Sequence, residues 1–194
     1  MTKLNFDMRG YAYDSGLGVL MEGYKSASAA LSADIERVKA KAADYEASDK
    51  FIGERDDDGY VVWEQSQVLD MQRETAEEAL MAFRKAYAIV LYHYWEREIR
   101  TFTKSGTSAD HEKLVKRAVD KGFPIDARLD AVRDLANALK HNKGEKLQAS
   151  WPEVLAPGAR AGQPRNWYEA IQLTDKHLAE AFEIITRSGP AIHP

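Results

Sequence analysis

From Leu17 the apolar positions fall into a regular seam of Leu17, Met21, Tyr24, Ser28, Leu31, Ile35, Val38, Ala42 and Tyr45, in alternating steps of four and three. That spacing predicts a long helix packed at a shallow angle against another. A second seam of Leu69, Arg73, Ala76, Leu80, Phe83, Tyr87, Val90 and Tyr94 repeats it, broken only at Arg73. It predicts a helix from near Glu64 to about Thr103. Between the seams, Arg55-Asp56-Asp57-Asp58-Gly59 reads as a turn, because short acidic side chains and glycine favour turn backbones. The two seams therefore form an antiparallel helical hairpin, the backbone of a bundle. The stretch from Gly59 to Trp63 carries the best strand signal and reads equally well as the approach to the second helix. Tyr92, Trp95 and Phe102 lie off the second seam, so this helix is apolar on more than one side and faces a deep core or a subunit interface.

The remaining segments are shorter. Residues 1–16 show no period, with Gly10 and Gly16 among them, and read as an irregular arm ending at a cap on Asp14 or Ser15. Lys104 to Ser108 breaks the second helix, and Asp110 to Lys121 predicts a short helix with Lys113, Lys116, Arg117 and Lys121 on its polar side. From Leu129 to His141 the chain is amphipathic: Leu129, Val132, Leu135, Ala136 and Leu139 share one face, Asp126 is placed to cap, and Asn142-Lys143-Gly144 is a stop. Residues 145–165, with Trp151, Pro152, Pro157, Gly158, Gly162 and Pro164, read as a long loop carrying Lys146, Arg160 and Arg165. An Asn166–Glu169 capping box then opens a final helix that buries Tyr168, Ile171, Leu178, Phe182 and Ile185 and stops at Ser188-Gly189-Pro190. The expected fold is an all-α bundle of two long antiparallel helices plus three shorter ones. Its parts are an arm over 1–16, a single bundle domain over 17–188 and a tail over 189–194.

Composition narrows the function classes. With 30% charged residues and a formal net charge of −4, the molecule as a whole does not attract nucleic acid, so any such contact is local. The absence of cysteine excludes disulfides and thiolate metal sites. The most apolar stretch, Ala86 to Trp95, is too short for a membrane span, and no apolar run follows Lys3, Asp7 and Arg9 as in a signal peptide. The expectation is a cytoplasmic protein with no membrane partner.

Candidate chemistry concentrates on the helix ending at His141. Arg133, Asn137 and His141, four residues apart, form a polar stripe turned away from the apolar face, with Lys140 and Lys143 beside it. Imidazole transfers protons near neutral pH, and guanidinium and ammonium groups hold phosphate. The same stripe also reads as a solvated helix face. On the second helix, Glu96, Arg97 and Arg100 read first as surface ion pairs. His93 with Glu96, and His177 with Glu180, each stand three apart and are spaced for metal. Carboxylate-bridged dimetal bundles place glutamate before histidine, so neither a metal nor another cofactor is expected.

The segment Ala-Asn-Ala-Leu-Lys-His-Asn-Lys-Gly at 136–144 resembles the end of the third main helix in the HEPN superfamily, the higher eukaryote and prokaryote nucleotide-binding domain. The family signature is an arginine, a polar residue that is often asparagine, three further residues and a histidine near a helix end. Asn137 to His141 match everything after the arginine. Ala136 stands in the arginine's own place, and Arg133, one turn earlier, is the substitute. The resemblance spans roughly residues 64–186. It implies a helical bundle that forms a homodimer, with two copies of the motif facing each other across a cleft. It further implies RNA binding, and metal-independent RNA cleavage of a toxin or phage-defence type, with His141 as the catalytic or phosphate-orienting residue and Asn137 as its neighbour. Arg133 joins them as the substitute cation, Lys140, Lys143, Arg97 and Arg100 are the candidate RNA contacts, and an antitoxin-like protein is a candidate partner. The alternatives are a non-catalytic helical adaptor that has lost the arginine and, third, a metal-binding bundle.

Overall fold

The computed structural model describes residues 6–160, 162 and 166–193, so Lys3, Pro164 and Arg165 lie outside it. The fold is an all-α helical bundle. Its long helices are α1 (Met8–Ala47) and α2 (Gln65–Thr103), joined by a hairpin of β1 (Gly53–Arg55) and β2 (Val61–Glu64). After them come α3 (His111–Asp120), α4 (Leu129–His141), α5 (Glu145–Ser150), α6 (Pro157–Arg160), α7 (Trp167–Ala170) and α8 (Asp175–Thr186). Among the described residues six short helices thus replace the three expected. None of the helices described is long and apolar enough to cross a membrane.

The chain divides into two compact units, Lys25–Phe83 and Met1–Tyr24 with Arg84–Pro194. All the short helices belong to the latter, so the 25–83 unit is built from the long helices and the hairpin alone. Its seam residues Ser28, Ile35, Leu69 and Leu80 are buried. The hairpin is antiparallel, with Gly53 opposite Glu64, Glu54 opposite Trp63 and Arg55 opposite Val61; the register slips there and Val62 has no partner across the ladder. Strand pairing wins over a longer helix because the turn is self-sufficient. The Asp56 carboxylate accepts from the N–H groups of Asp58 and Tyr60, at 3.1 and 2.8 Å, and Gly59 adopts φ 85°.

In the other unit the arm expected over 1–16 is helical from Met8, and the Asp7 carboxylate, not Asp14 or Ser15, accepts from the Arg9 N–H at 2.8 Å. The glycines that blur the period there are packing residues. A Cβ on Gly10 would lie 2.3 Å from the Ala191 carbonyl oxygen, and one on Gly16 would lie 2.3 Å from the Tyr94 hydroxyl. The tail is likewise packed in its described part: Gly189 and Pro190 are buried, and Ile192 accepts from the Asp7 N–H at 2.9 Å. The off-seam face of α2 is core, with Tyr92, Trp95 and Ile99 buried and the Trp95 indole donating to the Ser188 carbonyl. The loop expected over 145–165 is instead α5, a 3-10 turn at Pro152–Val154 and α6, because Leu147, Trp151, Val154 and Leu155 give it its own buried face. The final helix is split. Asn166 caps only α7; Ile171 then bridges to Leu155, and Thr174 caps α8 in a capping box with His177.

Candidate functional site

The last turn of α4 and the turn after it place the candidate residues. Leu129, Val132, Leu135, Ala136 and Leu139 are buried as the periodicity predicts, which leaves Asn137 half-buried and His141 exposed. Asn142 ends the helix in the left-handed conformation, φ 53°, and its N–H donates to the Ala138 carbonyl. Its side-chain oxygen also accepts from the N–H groups of Trp167 and Tyr168, at 2.6 and 3.2 Å, so one residue both closes α4 and holds the start of α7. Gly144 then passes directly against the buried Trp167 ring, where a Cβ would lie 2.2 Å from Cε3. The path fixed this way hangs Lys143 and Lys146 beside the motif. Asn137, His141, Lys143 and Lys146, with Asp134 and Glu145, line a hollow of about 530 Å³.

Arg133 does not join that hollow. It stands eight residues before His141, roughly 12 Å along the helix axis and about 80° around it. Its guanidinium is held between two carboxylates, Nη1 lying 3.2 Å from Asp130 and Nη2 lying 3.2 Å from Asp134. Asp134 is buried and also accepts from the Ser150 hydroxyl at 3.1 Å. From Asp130 the chain of polar contacts continues to His111, whose Nε2 is 2.9 Å from the carboxylate and whose Nδ1 is 2.9 Å from the Tyr92 hydroxyl. A neutral imidazole satisfies both contacts when Nε2 carries the proton and Nδ1 accepts from Tyr92. Burial, followed by the positive charge of Arg133, pushes the His111 pKa down. This network ties α2, α3, α4 and α5 together, and Arg133 is one of its structural members.

Arg97 and Arg100 line a different hollow, about 640 Å³, whose apolar wall includes Val19, Leu20 and Val90. Arg97 pairs with Glu98 at 2.8 Å and lies over the Tyr94 ring. Arg100 donates to the Ala109 carbonyl at 3.0 Å and sits 3.7 Å from Glu96, while its buried Nε has no hydrogen-bond partner among the described residues. Lys140 reaches toward this second hollow, its Nζ lying 3.3 Å from His93 Nε2. The six candidate RNA-contacting and catalytic positions outside Arg133 are therefore divided: Asn137, His141 and Lys143 on one hollow, Arg97 and Arg100 on another, and Lys140 turned to His93.

The members of the metal-spaced pairs are engaged with each other or with further groups. His93 Nδ1 is 2.8 Å from Glu96, its Nε2 faces Lys140, His177 serves the α8 cap, and Glu180 pairs with Arg128. Among the described residues no group of three or more His, Asp or Glu side chains is arranged to hold a metal ion. Asp134, Glu145 and the His111 network escaped the sequence reading. Asp134 and Asp130, one and three residues from Arg133, were its available signal. No protein-family model, curated protein or solved structure matches the chain.

Proposed function

We propose that this is a HEPN-like RNA-binding protein, working as a homodimer, in which the hollow beneath His141 receives the sugar-phosphate backbone. The observation that carries this reading is the meeting of Asn137 and His141, the matched part of the motif, with Lys143 and Lys146 in one open hollow. The two ammonium groups hold phosphate, the Asn137 amide donates to a phosphate or ribose oxygen, and the exposed imidazole is the group that takes or delivers a proton. In cleavage without metal, His141 removes the proton of a 2′-hydroxyl. The 2′-oxygen attacks the adjacent phosphorus, the 5′-oxygen leaves and takes up a proton, and a cyclic phosphate and a free 5′-hydroxyl result. A second His141 from the partner copy is the acid this scheme calls for. The setting that fits is cytoplasmic, of a toxin or phage-defence kind, with an antitoxin-like protein as its control.

One observation favours a second reading, the non-catalytic adaptor. Arg133 is neutralised by Asp130 and Asp134, so among the described residues the hollow of one chain contains no guanidinium to stabilise charge on a reacting phosphate. Incubating RNA with the protein in EDTA separates the readings. Cleavage that persists in EDTA and disappears in His141→Ala supports the ribonuclease. Salt-sensitive RNA binding without cleavage supports a binder, and no RNA binding at low salt overturns the proposal in favour of the adaptor.

A further inference from the structure

The hairpin of the 25–83 unit holds a run of apolar side chains out in water. Tyr60, Val61, Val62 and Trp63 are 73, 42, 59 and 39% exposed, and Phe51 and Ile52 ahead of β1 are open as well. Single apolar side chains on a surface are ordinary, whereas a contiguous run on one small element marks an interaction site. The element is also well fixed. The Tyr45 hydroxyl on α1 accepts from the Ile52 N–H at 3.1 Å and donates to Glu64 at 3.3 Å, and Asp56 and Gly59 close the turn. A surface already ordered loses less conformational freedom when a partner arrives.

Charge selects the partner. From Phe51 to Glu64 the chain carries Glu54, Asp56, Asp57, Asp58 and Glu64 against Arg55 alone, a formal −4, which equals the net charge of the entire chain. Arg55 is engaged within the hairpin, over the Phe51 ring at 4.4 Å and donating to the Gly59 carbonyl at 3.0 Å. Such a surface repels nucleic acid, an anionic bilayer and a second copy of the same hairpin. Among the described residues both outer edges of the two-stranded sheet lack a neighbouring strand, so an extended segment can add backbone hydrogen bonds.

We propose that this hairpin is a docking surface for a partner protein that presents a basic segment interspersed with apolar side chains. The apolar side chains of that segment pack on Tyr60, Val62 and Trp63, and its ammonium or guanidinium groups face Asp57 and Asp58. No residue of the RNA reading takes part, so the two proposals stand or fall separately.

Trp63 provides the readout, because Trp95, Trp151 and Trp167 are only 0, 1 and 4% exposed. The full chain is titrated with a short peptide of alternating lysine and valine, its glutamate–valine counterpart, oligolysine and oligouridylate. The lysine–valine peptide is expected to shift Trp63 emission to the blue and shield it from acrylamide, and Trp63→Phe removes that signal. Oligolysine is expected to bind about tenfold more weakly, because it lacks apolar contacts. The glutamate–valine peptide and the oligouridylate leave Trp63 unmoved. Asp57→Asn with Asp58→Asn, which keeps the Asp56 turn, is expected to weaken peptide binding about tenfold and flatten its salt dependence, with an unchanged circular dichroism spectrum. Equal response to the two valine peptides, no response to either, or unaltered binding in the Asp57/Asp58 variant overturns the proposal. So does a blue shift that grows with protein concentration alone, which is self-association.

Discussion

Replacing Arg133 with methionine tests whether this guanidinium belongs to a structural clamp or to a substrate. Methionine keeps most of the apolar stem, so packing loss is small and the perturbation is chiefly removal of charge. What remains is Asp134, only 7% exposed, with the Ser150 hydroxyl as its other partner, and Asp130, whose side chain is 64% exposed and readily hydrated. Removing one partner of a fully buried pair costs about 3–5 kcal/mol, and of an exposed pair about 0–1 kcal/mol. Arg133 is itself 19% exposed, so its contact with Asp134 falls between these limits and that with Asp130 at the lower one. The expected destabilisation is about 2–3 kcal/mol, which in a chain of this length lowers Tm by about 4–12 °C. Urea unfolding followed by circular dichroism is expected to show an earlier midpoint with an unchanged slope. Adding Asp134→Asn removes the stranded charge, and the double variant is expected to regain about 1 kcal/mol or more over Arg133→Met alone. RNA affinity of the folded double variant, which leaves no stranded charge on the hollow, is expected to stay within about twofold of the parent, since the guanidinium lies off the His141 hollow. Unchanged stability combined with lost RNA binding or cleavage refutes the clamp and returns Arg133 to the substrate.

His141→Ala should alter stability by less than about 0.5 kcal/mol, because the side chain is exposed, while RNA binding measured by filter retention weakens and any cleavage stops. Gly144→Ala drives a methyl group into the Trp167 ring and should cost about 1–3 kcal/mol in urea melts; its φ of −119° suits alanine, so the penalty is steric. His111 gives a pH dependence. Its folded pKa lies below the unfolded value near 6.5, so between the two the unfolded chain binds more protons and stability rises with pH. The contribution of neutral His111 is therefore complete above pH about 6.5 and is lost as pH falls through that value toward the folded pKa. His177 is shifted the same way, first by burial. Urea midpoints for His111→Gln should consequently fall less steeply from pH 7.5 to 5.5 than those of the parent, without becoming flat.

Where periodicity was long, the chain's pattern was sufficient. Both seamed helices, the Asp56 turn, the short α3 and the Asn142 stop of α4 follow from residues close in sequence, whereas α4 begins after Arg128 with no side-chain cap, and Asp126, the expected cap, accepts instead from the Arg128 N–H at 2.8 Å. Where distant packing decides, it was not. Gly10 and Gly16 look like helix breakers, yet they are small because Ala191 and Tyr94 lie against them, and those neighbours are far away in the chain. The stretch from α5 to α6 looks like loop because its buried residues, Leu147, Trp151, Val154 and Leu155, follow no single helical period. Thr174 and His177 form a capping box whose second member is not the usual glutamate or glutamine, so the restart at α8 carried no familiar mark.

The candidate site shows the same division at the scale of one helix. Spacing along α4 correctly separates a buried face from a polar stripe, but direction from the axis does not say which neighbour claims a side chain. Arg133 has acids at i−3 and i+1, and those carboxylates, fixed in turn by His111 and Ser150, hold it in the framework. His141 escapes that fate because the chain turns left-handed at the next residue, and the turn brings lysines rather than a clamping pair of acids alongside it. Of the two acids that line this hollow, Asp134 is engaged by Arg133 and Ser150, and Glu145 is exposed, which leaves it free to hydrate instead of immobilising a cation. Availability for a ligand is therefore set by the turn that Asn142, Gly144 and Trp167 define together. If RNA binds here, Asn142→Ala should weaken it more than the loss of any single lysine, because that change releases both the end of α4 and the start of α7. Binding in Asn142→Ala that equals the parent's, with α4 intact by hydrogen exchange, would show that the turn does not organise the site.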